Sequence, residues 1–576
     1  MKKFLAFKIA VFVLFSGLVS FVLLKEWLFF LQNDYQAVLG NYLQKHPNIY
    51  RHQFFGQEYF TPQNYENAKI YLGVAVFVII GSQIVFWVNF KTIKKVFYEC
   101  INEIKRIFLL FKQDFSALKK SQKILLGVAC LMIVIHQIYM YFSMPGGVDE
   151  SYSSLFFSSQ GLGVTLTHYP APNNHIFYNL TSIFWKLFVK DTILAVRLTP
   201  LLTFWLTELI LFVFLLRKNN FQVAFLTILL VGLGFSQSFF SVHGRGYMTY
   251  GFFSVLAFLT FIMYLQNKHA LYLWIFGIAC VLGFWTMPIF LYIMATFYVF
   301  LLWELVRKKI TWKIFNNFIL AGLLISACIY LGYVGILTYG GTKVLIGNSD
   351  INRNYELQWF FTYYLPIVLR ESVWYVVGLP KYVSFVVFVI VVSVATWIVW
   401  YKHPSVLYQR IWQLLITFIV VTVGIIIVMR VSPFYRAWTN FAIFFAWAGG
   451  FVLGQLWHKI SLGTNISLIS AIFVGSFFQF AEQIENAYEP HSHTLYTAVI
   501  QEARWLVENS SSLYVSEEAF FVRFWVEYWN KESLLRNNPC RADRAVTVES
   551  ETLPSCQEPQ KVVWFFRVYE FAETSK

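Results

Sequence analysis

Long apolar runs separated by short polar segments are the feature that most limits how this chain can fold. A helix needs about 17–25 predominantly apolar residues to cross the hydrocarbon core of a bilayer. Thirteen runs have about this length: 4–24, 69–90, 124–143, 191–216, 221–240, 247–265, 271–287, 289–305, 314–339, 381–401, 411–429, 437–456 and 463–480. The sequence therefore predicts an all-α polytopic membrane protein with about 13 transmembrane helices.

The scarcity of charged residues supports this prediction. Only 13% of the residues are charged and 58% are hydrophobic, whereas a soluble domain carries about 25% charged residues. Too few charges are present to cover a water-exposed surface. The composition thus excludes a soluble enzyme, a disordered protein and a nucleic-acid-binding protein.

The distribution of charge predicts the orientation of the chain. The net charge is +15, but residues 481–576 are acidic and the excess of Lys and Arg lies in short loops between apolar runs. Such loops are retained in the cytoplasm. With a cytoplasmic N-terminus, the basic segments 91–123 and 306–313 lie inside. Thirteen spans then place the C-terminus outside, and we expect a bacterial inner membrane with a periplasmic C-terminus.

Three regions are expected along the chain. Residues 1–123 form an N-terminal transmembrane hairpin followed by a basic, amphipathic cytoplasmic segment. Residues 124–480 form the transmembrane core, with long outside loops at 144–190 and 340–380. Residues 490–576 form a small extracytoplasmic α/β domain, with helices near 498–508 and 517–529 and strands near 513–516, 545–549 and 562–569.

Two of the six cysteines, Cys540 and Cys556, lie in this outside tail. An oxidising compartment permits a disulfide there, and two free thiols are the equal alternative. The remaining cysteines lie in spans or in a cytoplasmic loop, where thiols usually behave as small hydrophobic groups.

An acidic pair, Asp149-Glu150, follows directly after a span. Carboxylates beside the bilayer are costly unless they bind a cation, a proton or a polar ligand. The alternative is a helix start, because acidic side chains are favourable near a helix N-terminus. The same loop continues with a stiff polar bend that includes His168, Asn174 and His175. These imidazoles either bind a phosphate or a metal, or are ordinary interfacial side chains.

Arginines follow on the same predicted side of the membrane. Arg245 lies in a very short turn between two glycines, which we expect to let a large ligand approach the backbone. Arg430 and Arg436 share a later turn, and Arg197 lies near the start of an apolar run, where it either binds a ligand or snorkels to the interface. A guanidinium suits bidentate phosphate binding. We therefore expect acids and arginines to converge at the outer surface.

The order of these motifs over roughly 124–480 resembles the GT-C superfamily of polyprenyl-phosphate-dependent glycosyltransferases. The resemblance is strongest to the branch with protein O-mannosyltransferases and the lipid A aminoarabinose transferase. That branch has an acidic pair in the first large outside loop, then a His/Pro-rich segment, an Arg-Leu at a span start, an Arg-x-Tyr-like turn and a late Arg-x-x-Pro-like turn. The matching segments here are Asp149-Glu150, 168–178, Arg197-Leu198, Arg245-Gly246-Tyr247 and 430–433.

The resemblance implies a membrane glycosyltransferase that moves a sugar from a polyprenyl-phosphate donor to a glycan, lipid or protein acceptor, with inversion at the anomeric carbon. Asp149 would be the base, and Glu150 would orient groups or help Asp149 hold a divalent cation such as Mg²⁺ or Mn²⁺. The other roles implied are donor-phosphate binding by Arg245, Arg430, Arg436 and Arg197, and a pocket formed by His168, His175, Asn174 and Tyr247.

Three other classes of protein fit a polytopic chain. An O-antigen-type polymerase or ligase also has periplasmic arginine loops, but it leaves the early acidic pair unexplained. A transporter or lipid flippase would show repeats, interrupted helices or charges at the bilayer midplane, whereas the motifs singled out here cluster at the outer surface. A non-enzymatic scaffold predicts no converging acids and arginines.

Overall fold

A computed structural model of the chain describes residues 2–170, 173–346, 355–402, 405–457, 467, 492–516, 519–529, 531–535, 544–548, 561–563 and 566–570. The predicted span 463–480 therefore lies outside the described residues except for position 467. Cys540 and Cys556 also lie outside them, so the two alternatives, a disulfide or two free thiols, both stay open.

The described residues are predominantly helical. The first group of helices, up to the end of the predicted loop 144–190, is α1 (Lys2–Gln32), α2 (Tyr35–Lys45), α3 (Pro62–Val88), α4 (Phe90–Ser116), α5 (Lys120–Ser143), α6 (Val148–Ser153), α7 (Gly161–Thr167) and α8 (Ile176–Lys186). A π-helical turn, Ser154–Ser158, continues directly from α6.

The second group forms the rest of the membrane region. It consists of α9 (Thr192–Lys218), α10 (Phe221–Leu233), α11 (Phe235–Ser241), α12 (Tyr247–Asn267), α13 (Ala270–Thr286), α14 (Leu291–Val306), α15 (Trp312–Gly340), α16 (Lys343–Ile346), α17 (Leu357–Trp359), α18 (Leu365–Val377), α19 (Lys381–Trp397), α20 (Val406–Met429) and α21 (Thr439–Leu456).

The predicted polytopic fold is confirmed. Within the described ranges, nine helical segments are long and apolar enough to cross a bilayer, and a bent pair makes up to ten. The predicted spans 4–24 and 271–287 correspond to α1 and to the shorter apolar helix α13. The amphipathic helix expected in 91–123 is α4, which buries Glu103 against Tyr272 of α13, where the two side chains are hydrogen bonded at 2.8 Å.

The predicted single span at 221–240 was wrong in shape. The structure divides it into α10 and α11, which meet at an angle of 62°. The break lies at Gly234, whose backbone is extended. A Cβ atom there would lie 2.8 Å from the carbonyl oxygen of Leu230 and closer still to Gln237, so a side chain at this position would clash with the bend.

Polar contacts mark the two ends of the helical bundle. At one end, Arg217 at the end of α9 pairs with Asp114 of α4 at 2.8 Å, and Arg410 of α20 pairs with Glu304 of α14 at 2.9 Å. The segments predicted as cytoplasmic thus meet at one end. The turn after α11 and the turn after α20 lie with α6 at the opposite end, described below.

The two largest hydrophobic clusters among the described residues hold the helices together. The larger one fills the bundle formed by α9–α15 and α18–α21. The second joins parts of all three predicted regions: the segment around α2, the loop helices α6–α8, and the C-terminal domain. The predicted N-terminal region is therefore packed onto the loop of the core, and Tyr42 and Tyr59 both hydrogen bond to Thr167 at 2.8–3.0 Å.

The C-terminal domain has the predicted α/β character. It contains α22 (Ser492–Asn509), α23 (Phe520–Tyr528) and four strands, β1 (Leu513–Val515), β2 (Arg544–Val548), β3 (Lys561–Val563) and β4 (Phe566–Glu570). The sheet order is β1-β2-β4-β3, with β1 parallel to β2 and the other pairs antiparallel.

This domain contacts the loop that carries the acidic pair. Helix α23 packs on α6, and the ring of Trp525 lies against Gly146, where an added Cβ would be 3.1 Å from it. Tyr528 donates a hydrogen bond to Asp191 at 2.6 Å, and Asp191 also caps α9 by accepting from the Leu194 amide. The domain thereby fixes the entry and exit of loop 144–190.

Candidate active site

The acidic pair lies in the first turn of the short helix α6, so its two side chains diverge. Gly147 precedes the helix with extended backbone, and its amide donates to the Glu150 carboxylate at 2.8 Å. Adjacent helical residues point about 100° apart. Asp149 and Glu150 consequently face different partners and have different surroundings.

Glu150 forms a sealed ion pair with Arg197 of α9. The guanidinium donates through Nε and Nη2 to the two carboxylate oxygens at 2.8 and 2.9 Å, and both side chains are 2% exposed or less. Arg197 also donates to the carbonyl oxygens of Tyr141, Met144 and Pro145, which end the preceding span. This arrangement fastens the start of loop 144–190 to α9.

Asp149 lies between two other guanidiniums. Its Oδ2 atom is 3.0 Å from Arg436 and 3.9 Å from Arg245. Arg245 is fully buried and donates to the Ser153 hydroxyl, the Asp149 carbonyl and Asn173 Oδ1 at 2.7–3.2 Å. The side chains of Asp149 and Arg436 retain 19% and 21% exposure, so a ligand can reach both.

The glycines beside Arg245 serve a different purpose from the predicted one. A Cβ at Gly244 would lie 2.9 Å from a Glu150 carboxylate oxygen, and a Cβ at Gly246 would lie closer still to Nδ1 of His175. The Gly244 amide donates to Glu150, and the Gly246 amide donates to His175 Nδ1 at 2.9 Å. The space beside the turn is filled by this chain's own side chains, so the expectation that it admits a large ligand was wrong.

Charge and burial set the protonation of the two carboxyl groups. Burial by itself would raise the pKa of Asp149, but the nearby guanidiniums of Arg245 and Arg436 outweigh it and lower the pKa well below the ordinary value. For Glu150, burial likewise opposes ionisation, and Arg197 together with the Gly147 amide lowers its pKa. Both carboxyl groups are therefore ionised at neutral pH.

The histidines of the cluster are neutral at the same pH. Burial lowers the pKa of His243 to about 4 despite the attraction of Glu150, 3.6 Å away. Burial and the neighbouring Arg245 also lower the pKa of His175. Because His175 Nδ1 accepts from Gly246, its proton is on Nε2.

The other predicted site residues fall into two groups. Tyr247 is in the cluster, with both Arg245 and Arg436 5.8 Å from its ring centre. Asn174 is buried and holds the loop closed, donating to the carbonyls of Thr165 and His168 and accepting from Asn179.

His168 and Arg430 make contacts with residues outside the Asp149 cluster. The His168 ring packs between Phe55 and Tyr59 of the N-terminal region, at ring-centre distances of 5.7 and 5.0 Å. Arg430 has a left-handed backbone with φ 52° and donates to the Tyr355 carbonyl. Ser153, Asn173 and His243 also belong to the cluster but were not predicted as site residues. Each is a single polar side chain in its segment, and only the folded structure brings it beside the acids and arginines.

The acidic pair does not present the metal site that the sequence left open. Both Glu150 oxygens accept from Arg197 and from backbone amides, and Asp149 faces guanidiniums. Within the described ranges, no group of three or more His, Cys, Asp or Glu side chains is arranged to hold a metal ion. The described residues thus do not fit a divalent cation at this pair.

Fold and site together define a polytopic membrane protein with a buried cluster of acids and arginines at one end of its bundle. No family model and no curated protein matches the chain. Among solved structures, it is similar to ArnT of Cupriavidus metallidurans bound to undecaprenyl phosphate, with 13% identity, a TM-score of 0.48, and coverage of 78% of this chain and 98% of that one.

It is also similar to the oligosaccharyltransferase AglB of Archaeoglobus fulgidus in complex with an inhibitory peptide and a dolichol-phosphate. There the identity is 10% and the TM-score 0.44, over 74% of this chain and 65% of that one. The apo form of ArnT gives 14% identity and a TM-score of 0.46, over 71% of this chain and 77% of that one.

Proposed function

We propose that this protein transfers a sugar from a polyprenyl-phosphate donor to an acceptor at the outer face of the membrane. Asp149 is the base in this proposal, and Arg436 and Arg245 bind the donor phosphate. The motif order that resembles GT-C glycosyltransferases supports the reaction class. The position of the partly exposed Asp149 carboxylate between the guanidiniums of Arg436 and Arg245 is the observation that carries the proposal.

Two guanidiniums meet at the one carboxylate of this pair that keeps some exposure. Arg436 and Arg245 lie 3.0 and 3.9 Å from the same Asp149 oxygen, and the side chains of Asp149 and Arg436 are 19% and 21% exposed. A guanidinium suits bidentate binding of a phosphate. A donor phosphate that enters beside the partly exposed Arg436 would therefore meet Arg436 first and Arg245 behind it.

The two carboxylates have different roles in this proposal. Glu150 and Arg197 are sealed and bound to each other, which supports a positioning role: they hold α6 and the turn at Gly244 in register. This role replaces, in our proposal, the phosphate contact implied for Arg197, whose donors already have five acceptors. Asp149 retains access to solvent and to a substrate.

The proposed reaction is a single displacement. The acceptor hydroxyl or amine attacks the anomeric carbon and gives its proton to Asp149. The bond between that carbon and the phosphate oxygen breaks, and its electron pair leaves on the polyprenyl phosphate. Arg245 and Arg436 stabilise the developing phosphate charge, which is the kind of preorganised electrostatic stabilisation that contributes most in enzymes. Backside attack inverts the anomeric carbon.

Donor binding would also make Asp149 a better base. A carboxylate held by two guanidiniums is a weak proton acceptor, because their positive charges lower its pKa. A phosphate that binds Arg436 competes with Asp149 for the same guanidinium. The pKa of Asp149 then rises toward the range useful for proton transfer, so that base strength increases only when the donor is in place.

A deletion strain tests this function. Lipid and glycan mass spectrometry should show an accumulated polyprenyl-phospho-sugar and an acceptor lacking one sugar residue, and wild-type protein should reverse both. Asp149→Asn should fail to reverse them, with turnover lowered about 10²–10⁴-fold as expected for loss of a general base. Glu66→Gln, an exposed carboxyl of α3, is the matched control and should restore both. Restoration by a well-folded Asp149→Asn protein would exclude Asp149 as the base.

A further inference from the structure

A second cation lies close to this cluster, at the C-terminal end of α8. Lys186 reaches back to the π-helical turn that follows α6, and its ammonium donates to the hydroxyls of Ser154, Ser158 and Ser159 at 3.0, 2.8 and 3.0 Å. Ser154 directly follows Ser153, the residue that accepts from Arg245. The two cations are therefore bound by neighbouring residues of one turn.

Lys186 differs from the arginines because no carboxylate in the described part of the chain forms an ion pair with it. None of the ion pairs among the described residues involves Lys186. Burial is what lowers its pKa, to about 7. Lys186 is half-buried and its three hydrogen bonds go to neutral hydroxyls. Partial burial of an ammonium costs free energy that a counter-ion would offset.

The three serines have the chemistry of an anion receptor. Each hydroxyl accepts a hydrogen bond from Lys186 through an oxygen lone pair. The Ser158 hydroxyl donates in turn to the Ser154 carbonyl at 3.4 Å, whereas the hydroxyls of Ser154 and Ser159 keep their O–H groups as donors for a ligand. Hydrogen bonds from a cation polarise such hydroxyls and strengthen the next bond in the chain. Ser154 and Ser158 are buried, whereas Ser159 is exposed, so the receptor opens on the side of Ser159.

Apolar side chains surround the opening. Phe184, Leu187 and Phe188 flank Lys186 and are 50–74% exposed. Leu and Phe side chains are favourable in contact with acyl chains. A lipid whose anionic headgroup reaches Lys186 would have its acyl chains beside this apolar surface.

From this geometry we propose that Lys186, Ser154, Ser158 and Ser159 form a binding site for the phosphate headgroup of a membrane lipid, separate from Asp149 and its arginines. The phosphate oxygens accept from the hydroxyls of Ser154 and Ser159, and the phosphate charge neutralises the Lys186 ammonium. The acyl chains lie along Phe184, Leu187 and Phe188. The site does not depend on the glycosyl transfer proposed above.

The test uses the full-length protein in neutral detergent and follows its melting midpoint during titration with dioleoylphosphatidylglycerol. Dioleoylglycerol has the same acyl chains without phosphate, and inorganic phosphate has the anion without the chains. Lipid that binds the folded state raises the midpoint with its concentration. We expect phosphatidylglycerol to stabilise the wild type, with at least tenfold weaker apparent affinity for Lys186→Met and no change for Lys190→Met, a control at an exposed lysine on the same loop.

Two further comparisons keep the outcome decisive. Ser158→Ala keeps the ammonium and removes one buried hydroxyl, and it should weaken phosphatidylglycerol binding about 3- to 10-fold if Lys186→Met proves too unstable to use. The proposed site would be overturned if the wild type bound dioleoylphosphatidylglycerol and dioleoylglycerol with equal affinity. It would also be overturned if Ser158→Ala and Lys186→Met bound phosphatidylglycerol as tightly as the wild type. A Lys186-dependent shift of the same size with inorganic phosphate would overturn its assignment to a lipid.

Discussion

Replacement of Arg197 by methionine separates a structural role from the phosphate-binding role that its sequence position suggests. Methionine is unbranched and apolar, so it fills much of the space of the arginine stem. The substitution removes five hydrogen bonds, two to the Glu150 carboxylate and three to the carbonyls that end α5. Glu150 then stays 2% exposed with only amide donors and a neutral His243 near it.

The expected loss in the free energy of unfolding follows from the uncompensated negative charge of Glu150. Removal of one partner of a buried ion pair costs about 3–5 kcal/mol, because the other charge remains in a low-dielectric environment. We therefore expect Arg197→Met to lower the free energy of unfolding by about 4 kcal/mol. Combining it with Glu150→Gln removes the stranded charge as well, so the double variant should be more stable than the sum of the two single effects by at least about 2 kcal/mol.

Equilibrium unfolding in mixed detergent, followed by fluorescence of the 20 tryptophans, measures these differences. Arg430→Met is the matched control, since this half-buried arginine donates to one carbonyl, that of Tyr355, and we expect a loss below about 1 kcal/mol. An Arg197→Met protein that unfolds like the wild type, but needs a higher donor concentration, would refute the structural role and restore the phosphate contact.

Further predictions concern the turn, the base and the second cation. Gly244→Ala should lower stability by about 1–3 kcal/mol, since its methyl group would press on Glu150; an unchanged melting midpoint would contradict this. Arg436→Gln should raise the donor KM and, because one of the charges that lower the pKa of Asp149 is lost, move the acid limb of the pH–activity profile to higher pH. A limb that stays in place would count against Asp149 as the titrating base. Folded Lys186 loses its proton near pH 7, whereas unfolded lysine keeps it to about pH 10.4. Unfolding therefore takes up a proton between these values, and the wild type should gain stability relative to Lys186→Met as the pH rises from about 7 to 10, as measured by unfolding at several pH values.

Much of the architecture could be predicted because it depends on local properties of the chain. The length of an apolar run decides whether a helix can span a bilayer, and this length is visible in any window of about 20 residues. The same holds for the amphipathic pattern of α4 and for the alternation of helix and strand after residue 490. The bend at Gly234 was missed because an apolar run has the same composition whether it is straight or broken.

The site was predicted only in part. Asp149 and Arg245 stood out because a charge or a glycine-flanked arginine beside an apolar run is unusual in sequence. Which acid pairs with which arginine was not visible there: Glu150 pairs with Arg197, whereas Asp149 pairs with Arg436, which lies 287 positions further along the chain. The two neighbours diverge because they sit on one helical turn.

The sequence by itself thus determined that the chain crosses a membrane and that acids and arginines would gather at one end of the bundle. Only the tertiary structure decided their partners, the purpose of the glycines around Arg245, and the meeting of Lys186 with three serines. Helix-forming and membrane-spanning tendencies add up along the chain, residue by residue. Side-chain pairing depends instead on how helices far apart in sequence pack, since a guanidinium and a carboxylate interact strongly only within a few ångströms.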